Sequence, residues 1–164
     1  MTILNKIPTM SDEERLALFH NAIRHIHENK RIDEAQAVLN ALQDLWAAQL
    51  KEFYDGKFKA PSPKTGVLGA LGYHVGETKG VNEEKRRTIL DFIMSGVLPP
   101  VGTPAHYAEW GTPNSKQRYA KLHRVLQSFA TSSKHWQDPH ETNLIKAGRE
   151  WNDDLRYIEE KWKP

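Results

Sequence analysis

Apolar residues recur at three- and four-residue steps along both flanks of the chain, the spacing of amphipathic helices. Leu16, Phe19, Ile23 and Ile26 form one stripe, opened by Ser11 as an N-cap with Glu14 three residues on, the pattern of a capping box. The polar run from His27 to Arg31 interrupts it. Val38, Leu39, Leu42, Leu45, Trp46, Leu50 and Phe53 then form a second stripe that ends at Gly56. So short a break between two stripes predicts an antiparallel helical hairpin over residues 1–55.

Between Gly56 and Pro113 lie nine of the ten glycines and six of the nine prolines, so helices there must be short or interrupted. Residues 56–66, with Pro61 and Pro63, cannot continue a helix and are expected to be a linker. A short helix is expected around Val67–Tyr73. Asn82 caps a stronger one carrying Ile89, Leu90, Phe92 and Ile93, with Gly96 as its left-handed stop. Thr103-Pro104 starts another helical turn, closed at Gly111. Ser115 or Thr112 opens a helix whose inward stripe is Tyr119, Leu122, Val125, Leu126 and Phe129. Asp138, Pro139 and Glu141 supply N-cap, N1 and N3 of a last helix, with Leu144, Ala147, Trp151, Leu155, Ile158 and Trp162 on one face. That face is a core stripe or a seam for a partner helix. No alternating β pattern exceeds a few residues. The expected fold is all-α: a hairpin over 1–55, a linker over 56–66 and a compact helical bundle over 67–164.

Composition narrows the chemistry. The 164 residues are 38% hydrophobic and 27% charged, a globular composition. No apolar run approaches the roughly 20 residues of a membrane helix, and the first residues lack the apolar region of a secretion signal. No membrane contact is therefore expected. The absence of cysteine excludes disulfides, thiolate metal sites, thiol nucleophiles and iron–sulfur clusters. A reducing cytoplasm is the expected location.

Charge is segregated along the chain. Residues 1–55 carry six basic and nine acidic side chains (net −3), residues 56–136 twelve and five (net +7), and residues 137–164 five and seven (net −2). The cations of the middle cluster as Lys57, Lys59 and Lys64; as Lys85, Arg86 and Arg87; and as Lys116, Arg118, Lys121 and Arg124. Aromatics, among them Phe58, Tyr73, Tyr107, Trp110, Tyr119 and Trp136, are interleaved with them. Such a surface suits a phosphate backbone, with Lys85, Arg86, Arg87, Arg118, Lys121 and Arg124 as the candidate nucleic-acid or polyanion contacts. Alternatively, the cations pair with the acidic elements of the same molecule.

Other constellations are weaker. Gly72-Tyr73-His74-Val75-Gly76 with Gly80 lacks the glycine order and the Lys of a phosphate loop, and reads as a turn that buries Tyr73 and Val75. Residues 68–90 form a degenerate helix-turn-helix at best, with 82–93 as the recognition helix presenting Lys85, Arg86 and Arg87, because the gap from His74 to Val81 exceeds the usual turn. The eight histidines include no His-x-x-x-His pair; His106 and Glu109 are the one pairing that suggests a metal-dependent hydrolase. Ser115, Ser132 and Ser133 have no nucleophile elbow around them, and Glu83-Glu84 and Asp153-Asp154 point to different sides of their helices. No catalytic residue, cofactor or metal is assigned.

Four pieces of the second half nonetheless go together: Gly72-Tyr73-x-Val75-Gly76, Arg86-Arg87-x-Ile89-Leu90, Trp110-Gly111-x-Pro113-x-Ser115-x-x-Arg118 and Trp151-x-x-Asp154-Leu155. As a set they resemble an uncharacterised family of short bacterial proteins, over residues 66–158. The resemblance implies no activity, cofactor or catalytic residue. Its polar members are Arg86, Arg87, Arg118 and Asp154; either Asp154 clasps an arginine, or the arginines face an anionic ligand.

The expected function is a non-enzymatic binding module that meets nucleic acid or another polyanion through a basic helical surface, with the hairpin available for a protein partner or a homodimer. A structural or interaction protein with internally paired charges is the alternative, and a small metal-dependent hydrolase a third.

Overall fold

The protein is described by a computed structural model over residues 2–64, 66–133 and 142–164. Its helices are α1 (Ile3–Lys6), α2 (Asp12–His27), α3 (Ile32–Tyr54), α4 (Gly66–Ala70), α5 (Glu83–Ser95), α6 (Pro104–Ala108), α7 (Lys116–Ser133) and α8 (Thr142–Trp162), with a 3-10 turn at Ile7–Thr9. Among the described residues there is no strand, and the fold is all-α. No described helix is long and apolar enough to cross a membrane.

The chain divides into two compact units, Met1–Gly72 with Gly96–Ala108, and Tyr73–Ser95 with Glu109–Pro164. The first is built on the α2–α3 hairpin. Ser11 and Glu14 form the expected capping box, each side chain bonded to the other's backbone N–H. The turn between the helices uses left-handed backbone at Asn29 and Arg31, and Lys30 N–H closes it onto the His25 carbonyl at 2.8 Å. Phe19, Ile23, Leu42 and Trp46 fill the space between the helices, with the Phe19 and Trp46 rings 6.2 Å apart. Leu16, Ile26, Leu45 and Leu50 of the predicted stripes are only half-buried.

Within the expected linker, Phe58 and Pro61 are held against the first unit. Phe58 packs its ring against Phe53 at 6.3 Å, and the Pro61 carbonyl accepts from Gly102 N–H at 2.7 Å. Residues 96–108 thus return to the hairpin: Val97 N–H donates to Gln43 Oε1 at 3.0 Å, and Tyr107 meets Phe53 ring to ring at 5.7 Å. Long-range contacts, which breaker residues do not encode, draw the unit boundary.

In the second unit α7 and α8 pair along their length and α5 packs on both. Asn82 and Ser115 cap α5 and α7 as expected, their side chains accepting from Lys85 N–H (2.9 Å) and Arg118 N–H (3.0 Å). The Asp138 cap falls at 134–141, outside the described residues. Gly96 does not stop α5 in a left-handed conformation; the Met94 carbonyl is satisfied instead by Asn114 N–H at 2.8 Å.

The turn at 76–80 is tight enough to test. A Cβ on Gly80 would lie 2.0 Å from the Gly76 carbonyl oxygen, whereas one on Gly102 would meet nothing within 4 Å and would only strain a φ of +70°. Gly102→Ala should cost about 1 kcal/mol, the penalty of left-handed backbone. Gly80→Ala should cost distinctly more in urea denaturation; equal costs would show that the turn opens freely.

Candidate functional site

At the centre of the second unit is a carboxylate. Asp154 stands on the inward face of α8, seven residues after Ala147 and four before Ile158, and it is fully buried. Three donors hold it: Tyr73 Oη at 2.8 Å, Arg86 Nε at 2.7 Å and, more loosely, Arg86 Nη2 at 3.4 Å. Arg86 is itself 3% exposed. Its Nη1 donates to Glu150 Oε1 (3.1 Å) and to the Val81 carbonyl (2.9 Å), and Glu150 Oε2 accepts from Gly76 N–H at 2.6 Å. One guanidinium therefore ties α5, α8 and the 73–81 loop together. Burial holds the Asp154 carboxyl above the usual carboxylate range, its bonds to Arg86 and Tyr73 offsetting only part of the rise. Burial, and the Asp154 charge beside it, push the Tyr73 phenol well above the usual tyrosine range.

Arg118 is 2% exposed and turns its guanidinium onto backbone. Nε donates to the Trp110 carbonyl (2.9 Å), Nη1 to Ile93 (2.5 Å) and Nη2 to Gly111 (2.8 Å). The Ile93 carbonyl belongs to the last turn of α5, so Arg118 caps that helix while fixing the Trp110-Gly111 turn, where Gly111 has a φ of +65°. Arg15 does the same in the first unit, donating to the Ile7 and Pro8 carbonyls at 3.2 and 2.9 Å.

The six predicted polyanion contacts thus do not form one open face. Arg86 and Arg118 are buried, and a phosphate would have to displace acceptors each already holds. Arg87 pairs with Glu83 and lies over the Tyr157 ring at 4.7 Å; Lys121 pairs with Glu109 and lies 5.9 Å from the Trp110 ring centroid. Lys85 is half-buried, and Arg124 is exposed. Of the two readings of Asp154, the clasp with Arg86 is the observed one. The degenerate helix-turn-helix fails with it, since its recognition helix would have to present Arg86 to solvent.

Metal chemistry finds no constellation: among the described residues no three His, Asp or Glu side chains converge to hold an ion. The His106 ring nitrogen Nδ1 is 3.1 Å from Thr103 Oγ1, and Glu109 is bound to Lys121.

The residues that sequence reasoning undervalued share one signal. Asp154 continues the 147–151–158 stripe, and Arg118 continues 122–126–130 at four-residue steps, so both are charges at inward helical positions. Glu150, four residues before Asp154, shares that stripe; Tyr73, whose partner is 81 residues away in sequence, offers no such signal.

Two outcomes follow from this geometry. Arg118→Lys keeps the charge but loses the fork, leaving carbonyls at Trp110, Ile93 or Gly111 without a donor, and should cost at least about 2 kcal/mol in urea denaturation. The Tyr73 phenol holds its proton more tightly folded than unfolded. Its contribution is complete below about pH 10 and is lost as pH rises through the folded value. Wild type should accordingly lose stability above that pH more steeply than Tyr73→Phe; parallel profiles would contradict the assignment.

No known protein family, curated protein or solved structure matches the chain, and its function is read from its own residues.

Proposed function

We propose that this is a non-enzymatic interaction protein, in which the basic middle of the chain serves the fold and protein contact is made by the hairpin unit. The observation that carries the proposal is the internal use of cations: Arg86 and Arg118 are buried, and Arg87 and Lys121 are each paired and set over an aromatic ring. Surface pairs of the latter sort contribute little to stability, but they occupy the groups that a phosphate backbone would need. Apolar exposure favours the hairpin for the partner role, since Ile3, Leu4, Ile32 and Tyr54 are all 38% exposed or more. The motif likeness to a bacterial family is part of the same proposal, because its polar members Arg86, Arg118 and Asp154 then have structural reasons to occur together.

A polyanion reading keeps Arg124, which is exposed, and Lys85, which is half-buried. Lys59, Lys64, Lys79 and Lys116 are exposed as well, outside that set, but two of the six candidate contacts are few for the face they were expected to form.

Salt dependence separates the two. Six phosphate contacts would give a log–log slope of about −5 for duplex DNA, and two would give about −2. Retention should be weak with a slope no steeper than the second figure, and Arg124→Gln should weaken it further. A slope near the first figure would overturn the proposal.

A further inference from the structure

The last turn of α8 carries an arrangement that neither the clasp nor the hairpin explains. Asp91 of α5 accepts the Tyr157 hydroxyl on both oxygens, at 2.9 and 2.8 Å, and the Trp162 indole Nε1–H on Oδ1 at 2.8 Å. These bonds orient two aromatic rings around one carboxylate. The ammonium of Lys161 sits among them: Nζ is 2.7 Å from Asp91 Oδ2, 3.0 Å from Tyr157 Oη, 5.4 Å from the Tyr157 ring centroid and 5.6 Å from that of Trp162. A carboxylate, a tyrosine hydroxyl and an indole ring about one cation are elements that can recognise an alkylammonium group.

Here the cation is the chain's own. Lys161 is nearly half-exposed, at 47%, on a flexible stem one residue from the end of its helix, and Tyr157 and Trp162 are half-buried. The rings do not depend on Lys161 for their orientation, because Asp91 bonds to each of them directly. Arg87, paired with Glu83, supports the Tyr157 ring at 4.7 Å. The cage is therefore formed whether or not Lys161 fills it, and an exposed ion pair is a weak hold on the resident side chain.

We propose that Asp91, Tyr157 and Trp162 form a recognition site for an external alkylammonium group, self-occupied by Lys161 until such a group displaces it. The chemistry admits a methylated amine or the side-chain ammonium of a partner's lysine. The site lies in the second unit and stands independently of the hairpin's role in partner contact.

The test is a titration of full-length protein with tetramethylammonium chloride or Nα-acetyl-lysine amide, at ionic strength matched with sodium chloride. It follows the Trp162 indole N–H resonance, assigned with Trp162→Phe. Lys161→Ala should give a saturable shift. Wild type should give the same shift at about tenfold higher ligand, because Lys161 leaves the cage competent in only a fraction of molecules. Asp91→Asn combined with Lys161→Ala should give none while retaining its helical circular dichroism. If that variant unfolds, Trp162→Leu with Lys161→Ala replaces it, read on the Asp91 amide. Tighter binding of the tetramethyl probe assigns the site to methylated amines; tighter binding of the lysine probe assigns it to a partner's lysine. A folded Lys161→Ala protein that shows no saturable shift with either probe overturns the proposal.

Discussion

A carboxylate with no exposed surface is tolerable only where donors replace the water it has lost, and Asp154 places that demand on the second unit. Tyr73 meets it from the loop before α5, and Arg86 meets it from α5 itself. Arg86, once buried, needs acceptors for its remaining donors, and finds them in Glu150 and the Val81 carbonyl. Glu150 in turn holds Gly76 N–H and so shapes the turn that Gly80 closes. Each group is buried at a cost that the next one offsets. The loop, α5 and α8 can accordingly adopt one register with respect to each other, which apolar packing of these helices would specify less sharply.

The arginines show how the segregated charge is used. A guanidinium brings five donors in a rigid fork, and Arg15, Arg86 and Arg118 each turn part of theirs toward backbone carbonyls at helix ends and turns. Lysine, with a compact ammonium on a flexible stem, could not bridge three such acceptors at fixed angles. The excess of twelve basic over five acidic residues in the middle of the chain is thus in part a supply of donors for an irregular backbone, rich in glycine and proline, that makes few helical hydrogen bonds of its own.

Much of the helical layout was legible in the chain because it rests on local rules. The capping box at Ser11, the caps at Asn82 and Ser115, and the stripes of α2, α3 and, apart from Phe129, which is exposed, α7 all act within one or two turns. What was not legible is long-range. Gly96 looked like a helix stop, but Asn114 satisfies the carbonyl concerned. Residues 56–66 looked like a linker, but Phe58 and Pro61 are tied to the hairpin unit. Arg86 and Arg118 looked like surface cations because composition alone does not say which way a helix faces. Their positions on the inward stripes did say so, as did that of Asp154. A charge in register with core residues reads more naturally as a buried partner than as a ligand contact.

The clasp is tested most directly by a double-mutant cycle in urea denaturation: Arg86→Ala, Asp154→Ala and the two together. Each single variant leaves a buried charge without its partner and should cost about 3–5 kcal/mol. The double variant should cost clearly less than their sum, with a coupling of at least about 2 kcal/mol between the two sites. Single costs that simply add would contradict the account, because Arg86 and Asp154 would then contribute independently of each other.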